Sequence, residues 1–191
     1  MNAREAFEKL IEMDFETVLD VGCGEGEHSL AFNRLSKRVT SINLTEPENF
    51  KPSYIIDFNS AILPNNYDCI WASHVLEHQT NVGVFLTQCF NHLKNNGIFA
   101  VTVPPRKDAI VGGHVTLWNA GLLLYNLILA GFDCSEAKVK TYGYNISVIV
   151  RKKKARLPEL DMDKGDIERL ARFFPFSVQQ GFDGNINEFN W

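Results

Sequence analysis

The stretch VLDVGCGEGEHS, Val18 to Ser29, decides the fold. A short apolar run ending at Asp20 is followed by glycines at 22, 24 and 26 and then by residues that suit a helix. Glycine between a buried strand and a helix N-terminus lets main chain approach a ligand closely, because no Cβ intervenes and positive φ costs little. The dinucleotide fingerprint GxGxxG fails by one residue, since Glu27 stands where the third glycine belongs when counting from Gly22. The pattern present is D-x-G-x-G-x-G, with Asp20 two residues ahead of Gly22.

Working outward, apolar runs bounded by turn residues alternate with helical periodicity from about residue 17 to 132, which predicts successive βα units and a parallel sheet. Residues 3–12 read as a short amphipathic helix and TVLDV as the first strand. Glu27 to Leu35 is the next helix, and RVTSINL the second strand. The segment TEPENFKPS, with two prolines, offers at most one helical turn. YIIDF and YDCIWAS are the third and fourth strands. Val82, Phe85, Leu86, Cys89, Phe90 and Leu93 share one helix face, KNNG stops that helix, and IFAVTV is the fifth strand. Thr116 is the expected N-cap of an apolar helix ending at Gly131. Two β-rich runs meeting near Gly143 predict a hairpin, and a helix is expected over Asp163 to Phe174. The fold class is thus α/β, a Rossmann-like doubly wound sheet of about seven strands, mostly parallel with a C-terminal antiparallel hairpin. Residues 1–153 form the main domain, and 154–191 an extension too apolar for a free tail, expected to pack on the domain, a substrate or a partner subunit.

At 191 residues and 45% hydrophobic content the chain suits one domain, and a net charge of -4 gives no global attraction to nucleic acid. Four scattered cysteines without CxxC pairs fit neither a disulfide scaffold nor a cysteine metal site, so reduced thiols and no metal are expected. The N-terminal MNAREAFEKLIEMDF lacks an apolar core of signal-peptide length, and the most apolar segment, Leu117 to Ala130, falls short of the roughly 20 residues of a membrane span, which predicts a cytoplasmic location away from membranes.

The segment LDVGCGEGEHS resembles the first motif of class I S-adenosylmethionine-dependent methyltransferases. YIIDFNSAILPNNYDCIWASHVLEH, HLKNNGIFAVTVP and the closing AGFDCSEAKVKTYGYNISVIVRKK are similar to later segments of that family, so the resemblance spans about residues 15–153. It implies S-adenosyl-L-methionine as cofactor, held by Asp20, Gly22, Cys23, Gly24 and Gly26 at the glycine turn and by Ser73 after the fourth strand. Asp57, with the backbone of Phe58, takes the adenine. The family's second strand usually ends in an acid for the ribose hydroxyls, whereas this chain has Asn43, which forgoes the charge-assisted part of that bond unless Glu46 substitutes.

Methyl transfer from a sulfonium is an in-line displacement that depends on placing the acceptor, and a hydroxyl acceptor benefits from a base. Candidates must come from loops at the carboxyl ends of the strands. Of five histidines, His114 follows Gly112 and Gly113 on the long loop after the fifth strand and is the preferred general base. The alternative is that it caps a helix or orders the loop. Arg106 is a candidate grip for an anionic group, and Trp118 and Asn119 candidates for lining the acceptor pocket, each with a plain structural reading beside it. VPPR after the fifth strand, in place of a polar residue, two prolines and an aromatic, disfavours methylation of base or amide nitrogen. The expected function is O-methylation of a small molecule or sugar. GGHVTLWN also resembles methyltransferases associated with bacterial surface polysaccharides. The alternatives are an inactive, cofactor-binding partner or regulatory subunit, or a macromolecule methyltransferase docking through RKKKAR. A homodimer through the C-terminal aromatics is a further expectation.

Overall fold

The computed structural model describes residues 2–191. Its centre is one sheet of strands β1 (Thr17–Val21), β2 (Arg38–Asn43), β3 (Tyr54–Ile55), β4 (Tyr67–Ser73), β5 (Leu93–Val103), β6 (Lys138–Tyr142), β7 (Asn145–Arg151) and β8 (Glu188–Phe189). The order is β3-β2-β1-β4-β5-β7-β6-β8. The first five strands are parallel, while β7 runs antiparallel to β5 and to β6. The direction of winding reverses between β1 and β4, so the crevice at their carboxyl ends is where such a sheet binds ligands.

Period-two alternation sends neighbouring residues to opposite faces. On one face Val18, Cys69, Trp71, Ile98 and Ala100 pack with Phe7 and Leu10 of helix α1 (Arg4–Leu10) and Phe32 of α2 (Glu27–Arg34). On the other, Leu19, Val21, Ile70, Ala72, Phe99 and Val101 pack under α3 (Val82–His92) and α4 (Ala120–Leu129). Asp20 falls on the α1/α2 face and is buried there.

Trp191, at the end of the C-terminal stretch, packs against the first face, and the rest of the stretch lies mainly on the second. Leu170, Phe173 and Phe174 belong to that core, and Phe176, Phe182 and Phe189 pack against it. Gly121 N–H donates to the Gly184 carbonyl at 2.9 Å, tying the tail to the start of α4. Phe189 pairs with Val139, adding a short eighth strand to the edge that the hairpin had left open.

Four elements differ from the sequence expectation, the first being the third strand, which covers only Tyr54–Ile55 of YIIDF because Asp57 caps a tight turn over Phe58–Ser60. The apolar helix starts at Ala120, capped by Asn119 Oδ1 accepting from Leu122 N at 2.8 Å, and not at Thr116. Residues before it are held extended because Trp118 is buried and bridges to Pro105, with Arg106 N–H donating to the Trp118 carbonyl at 2.8 Å. β5 begins at Leu93, directly after α3, with a register shift opposite Tyr67 and Cys69 that accommodates KNNG inside the strand. The expected 163–174 helix is only α5 (Asp166–Leu170) followed by one tight turn over Ala171–Phe173, since Gly165 at φ 100° precedes it and Pro175 follows.

Candidate active site

The glycine turn leaves β1 with Gly22 N–H and Cys23 N–H both donating to the Ile42 carbonyl, at 2.8 and 3.0 Å. Gly22 has φ +71°, and a Cβ there would run into the Val75 side chain. Gly24, at φ +49°, has nothing within 4 Å of where a Cβ would sit, so its backbone faces open space. Gly26 caps α2 and lies under the ring of Phe50.

A cavity of about 410 Å³ opens beside this turn at the carboxyl ends of β1, β2 and β4, within the range of small-molecule and cofactor sites. Gly22, Asn43, Asp57 and Phe58 line it together with His74, Val75, His78 and Gln79. Asn43 Oδ1 accepts from Gly24 N at 3.3 Å and its Nδ2 donates to the Thr45 carbonyl at 2.8 Å, so the amide ties the end of β2 to the glycine turn. Asp57 is exposed and caps a short turn by accepting from Asn59 N at 2.9 Å. Phe58 is buried edge-on against Phe85, the rings 5.4 Å apart.

Other candidates sit around the cavity without lining it. Asp20 is 2% exposed, and Ser29 Oγ on the first turn of α2 donates to its carboxylate at 2.6 Å. Burial pushes the Asp20 carboxyl up to about 6, against the lowering effect of the Ser29 bonds. The Cys23 thiol is likewise pushed up to about 12, by burial and then by Asp20, which keeps it in the thiol form at neutral pH. Ser73 Oγ, at the end of β4, is buried with no hydrogen-bond partner. An orphaned hydroxyl there, a glycine backbone facing open space and a polar residue at the end of β2 suit an adenosyl cofactor.

A second cavity of about 190 Å³ is lined by Arg106, Lys107, His114 and Tyr144 with Ile110, Val111, Val115 and Leu117. Lys107 Nζ lies 4.1 Å from the centre of the Tyr144 ring. Trp118 is 2% exposed with its Nε1 donating to Thr116 Oγ1 at 3.0 Å, and Asn119 is engaged as the α4 cap. These two line a separate small hollow with Arg106, next to the tail.

The wall between the first two cavities carries residues whose grouping the sequence reading missed. Leu76–His78 forms a tight turn after β4, and the Glu77 carbonyl accepts from Val115 N at 2.9 Å and Thr116 N at 3.2 Å. This staples the long loop to the LEH turn and brings His114 against His78, ring centres 5.0 Å apart. Glu77, His78 and His114 thereby form a group whose possible ligand atoms lie within 4.8 Å of one another. His74, held at φ +56°, has its two ring nitrogens on Glu77 Oε1 (3.2 Å) and Asn145 Oδ1 (2.9 Å). Burial lowers the His74 pKa, but these partners outweigh it and leave the imidazole more basic than usual. His28 is set apart, on the Asn2 carbonyl at 3.0 Å and against Trp71, and His92 packs near Phe58.

A doubly wound sheet with a glycine turn and a polar cavity at its switch point defines a nucleoside-cofactor-binding α/β domain. The comparisons narrow it. The family model described as a methyltransferase domain matches residues 3–127, and the chain belongs to that family. A ubiquinone biosynthesis O-methyltransferase of Rhodopseudomonas palustris (strain TIE-1) is 31% identical over 119 residues, covering 53% of this chain and 47% of the relative. The chain thus spans about half the length of the curated relatives it matches. Among solved structures, a Burkholderia thailandensis 1,6-didemethyltoxoflavin-N1-methyltransferase with bound S-adenosylhomocysteine superposes with TM-score 0.66 at 18% identity, covering 79% of this chain and 78% of that one. The [4+2]-cyclase SpnF superposes at 0.56 with 24% identity, over 68% of this chain and 56% of that one. Both likenesses concern the fold. Among the described residues, no helix is long and apolar enough to cross a membrane.

Proposed function

We propose that this chain is an S-adenosylmethionine-dependent methyltransferase that methylates a hydroxyl of a small molecule. The carrying observation is a pair of cavities, one beside Gly22, Asn43 and Asp57 and one beside Arg106 and His114, linked where His78 of the first meets His114 of the second, ring centres 5.0 Å apart. When bound, the cofactor supplies an electrophilic methyl group on a sulfonium.

The residues divide the remaining work. The glycine turn and Asn43 hold the ribose and methionine portions by main chain and amide. Asp57 and Phe58 take the adenine by carboxylate and backbone, Ser73 offers its unpartnered hydroxyl, and Asp20 contributes negative charge from beneath the turn. In the second cavity the cations Arg106 and Lys107 and the apolar side chains of Ile110 and Leu117 suit an acceptor with an apolar body and an anionic group. His114 lines the second cavity against His78 of the first, where its imidazole would accept the proton of an acceptor hydroxyl.

The name of the Rhodopseudomonas relative supports oxygen as the accepting atom. Within the small-molecule class we favour sugars and hydroxylated rings, with the reaction in the cytoplasm, where the four free cysteines stay reduced. A homodimer through the tail is not favoured by its packing, since Phe174, Phe176, Phe182 and Phe189 already contact the domain or one another.

The test is a labelled-methyl turnover screen against hydroxylated aromatics, sugars, nucleotide sugars and RNA. Transfer to the oxygen of a small acceptor, reduced by His114→Ala, is expected. Transfer to RNA alone, or cofactor binding without transfer to any acceptor, contradicts the proposal.

A further inference from the structure

The LEH turn and the loop ending at His114 hold more chemistry than acceptor binding uses. Glu77 is 1% exposed, and its Oε2 is buried with no hydrogen-bond partner, an uncompensated desolvation that a bound cation would relieve. Its Oε1 is oriented by His74 Nδ1 at 3.2 Å. His78 Nδ1 lies 2.7 Å from the Gly113 carbonyl. A carbonyl only accepts, so Nδ1 carries the proton and the neutral ring presents the lone pair of Nε2, which sits 3.9 Å from Glu77 Oε1. A carboxylate oriented by one histidine, and an imidazole whose other nitrogen donates to a backbone carbonyl, are the outer contacts that fix metal ligands.

The third donor is positioned by main chain. The two amides that follow His114 donate to the Glu77 carbonyl, and Thr116 Oγ1 donates to the Leu76 carbonyl at 3.3 Å. The loop therefore cannot carry His114 away from Glu77 without breaking these bonds. His74 is not free to join, because both of its ring nitrogens are engaged.

We propose that Glu77, His78 and His114 bind one divalent transition-metal ion, of the zinc class. Two imidazoles and one carboxylate suit zinc, cobalt or ferrous iron, whereas magnesium and calcium prefer sites built from oxygen. Ligand atoms around a tetrahedral zinc stand about 3.3 Å apart. From within 4.8 Å the group would reach that spacing mainly by turning the half-buried His114 side chain toward the buried carboxylate, with His78 kept on the Gly113 carbonyl. A site with three protein ligands keeps a position open for an exogenous oxygen. It lies between the two cavities, since His78 lines the first and His114 the second.

The role of the metal rests on the methyltransferase reading. With an ion bound, His114 would serve as a ligand and not as the base, and the ion would lower the pKa of an acceptor hydroxyl at its open position, whose proton would pass to solvent at the exposed His78 rim. In the metal-free protein His114 takes that proton itself. Binding of the ion rests on no part of that reading.

The experiment uses the full chain, stripped with chelator and titrated with zinc chloride against a competing indicator. Metal content after dialysis is measured, and a cobalt titration is followed by visible absorption. One zinc per chain is expected, with a cobalt spectrum of four-coordinate nitrogen and oxygen ligation. His114→Ala and His78→Ala are expected to weaken zinc binding about 100-fold or more, and His92→Ala to leave it unchanged. Glu77→Gln is read only if its melting transition is intact. The inference is overturned if no zinc is retained at equimolar protein, if His114→Ala binds as the parent does, or if magnesium is preferred. A chain that binds S-adenosylmethionine but no zinc defeats this inference alone, and one that binds zinc but no cofactor defeats the proposed function alone.

Discussion

Asp20→Asn separates the two consequences of placing an acid under the glycine turn. Burial holds the Asp20 carboxyl at about 6 in the folded chain, against an ordinary value of 3.8. Between those two pH values the native state binds more protons than the unfolded chain, so stability falls as pH rises through that window. Above it the ionised carboxylate costs roughly 3 kcal/mol, at about 1.4 kcal/mol for each pH unit. Asparagine keeps an acceptor for Ser29 Oγ and has no charge to bury. Denaturant unfolding of both proteins at a series of pH values should show equal stability below pH 4 and an advantage for the variant of up to roughly 3 kcal/mol at pH 7.5. Taking the difference between the curves cancels every other titrating group. Cofactor binding should move the opposite way: a cationic ligand above the turn favours the ionised acid, so parent affinity rises with pH through about 6 while the variant binds more weakly and without that pH dependence. A variant no more stable than the parent at pH 7.5, or a difference independent of pH, would refute this account of Asp20.

Two further substitutions probe the same cavity. Gly22→Ala places a Cβ against Val75 at positive φ and should cost about 1–3 kcal/mol, measured by thermal or denaturant unfolding. Asn43→Asp supplies a charge-assisted acceptor for ribose hydroxyls and for Gly24 N–H, gives up the Nδ2 bond to the Thr45 carbonyl, which its carboxylate must turn away from, and should still tighten cofactor binding about fivefold by calorimetry, near 1 kcal/mol.

Elements marked by local pattern were legible in the chain. YDCIWAS is strand β4 from Tyr67 to Ser73, and the apolar stripe from Val82 forms α3. The hairpin turns at Gly143, which has φ +51°. Features that depend on distant partners were not. Thr116 has the chemistry of an N-cap, but burial of Trp118 against the VPPR loop keeps the backbone extended until Asn119. The β8 strand exists because the edge of β6 is available, and nothing within EFNW announces that edge. In the site, Gly22, Asn43, Asp57 and Phe58, the residues that the family resemblance picks out, line one cavity. Asp20 lies below it, because strand alternation turns residue 20 to the α2 face, where Ser29 meets it. The approach of His114 to Glu77 was invisible for the same reason as β8: it is made by two backbone bonds between segments far apart in sequence.

The most direct measurement is calorimetric titration of the folded chain with S-adenosylmethionine, beside the same titration of Asp57→Ala. The account predicts one molecule bound per chain by the parent and at least tenfold weaker binding by the variant, about 1.4 kcal/mol, from loss of the carboxylate at the cavity rim. A folded parent that binds no S-adenosylmethionine, or a variant that binds it as tightly as the parent, would contradict the placement of the cofactor beside the glycine turn.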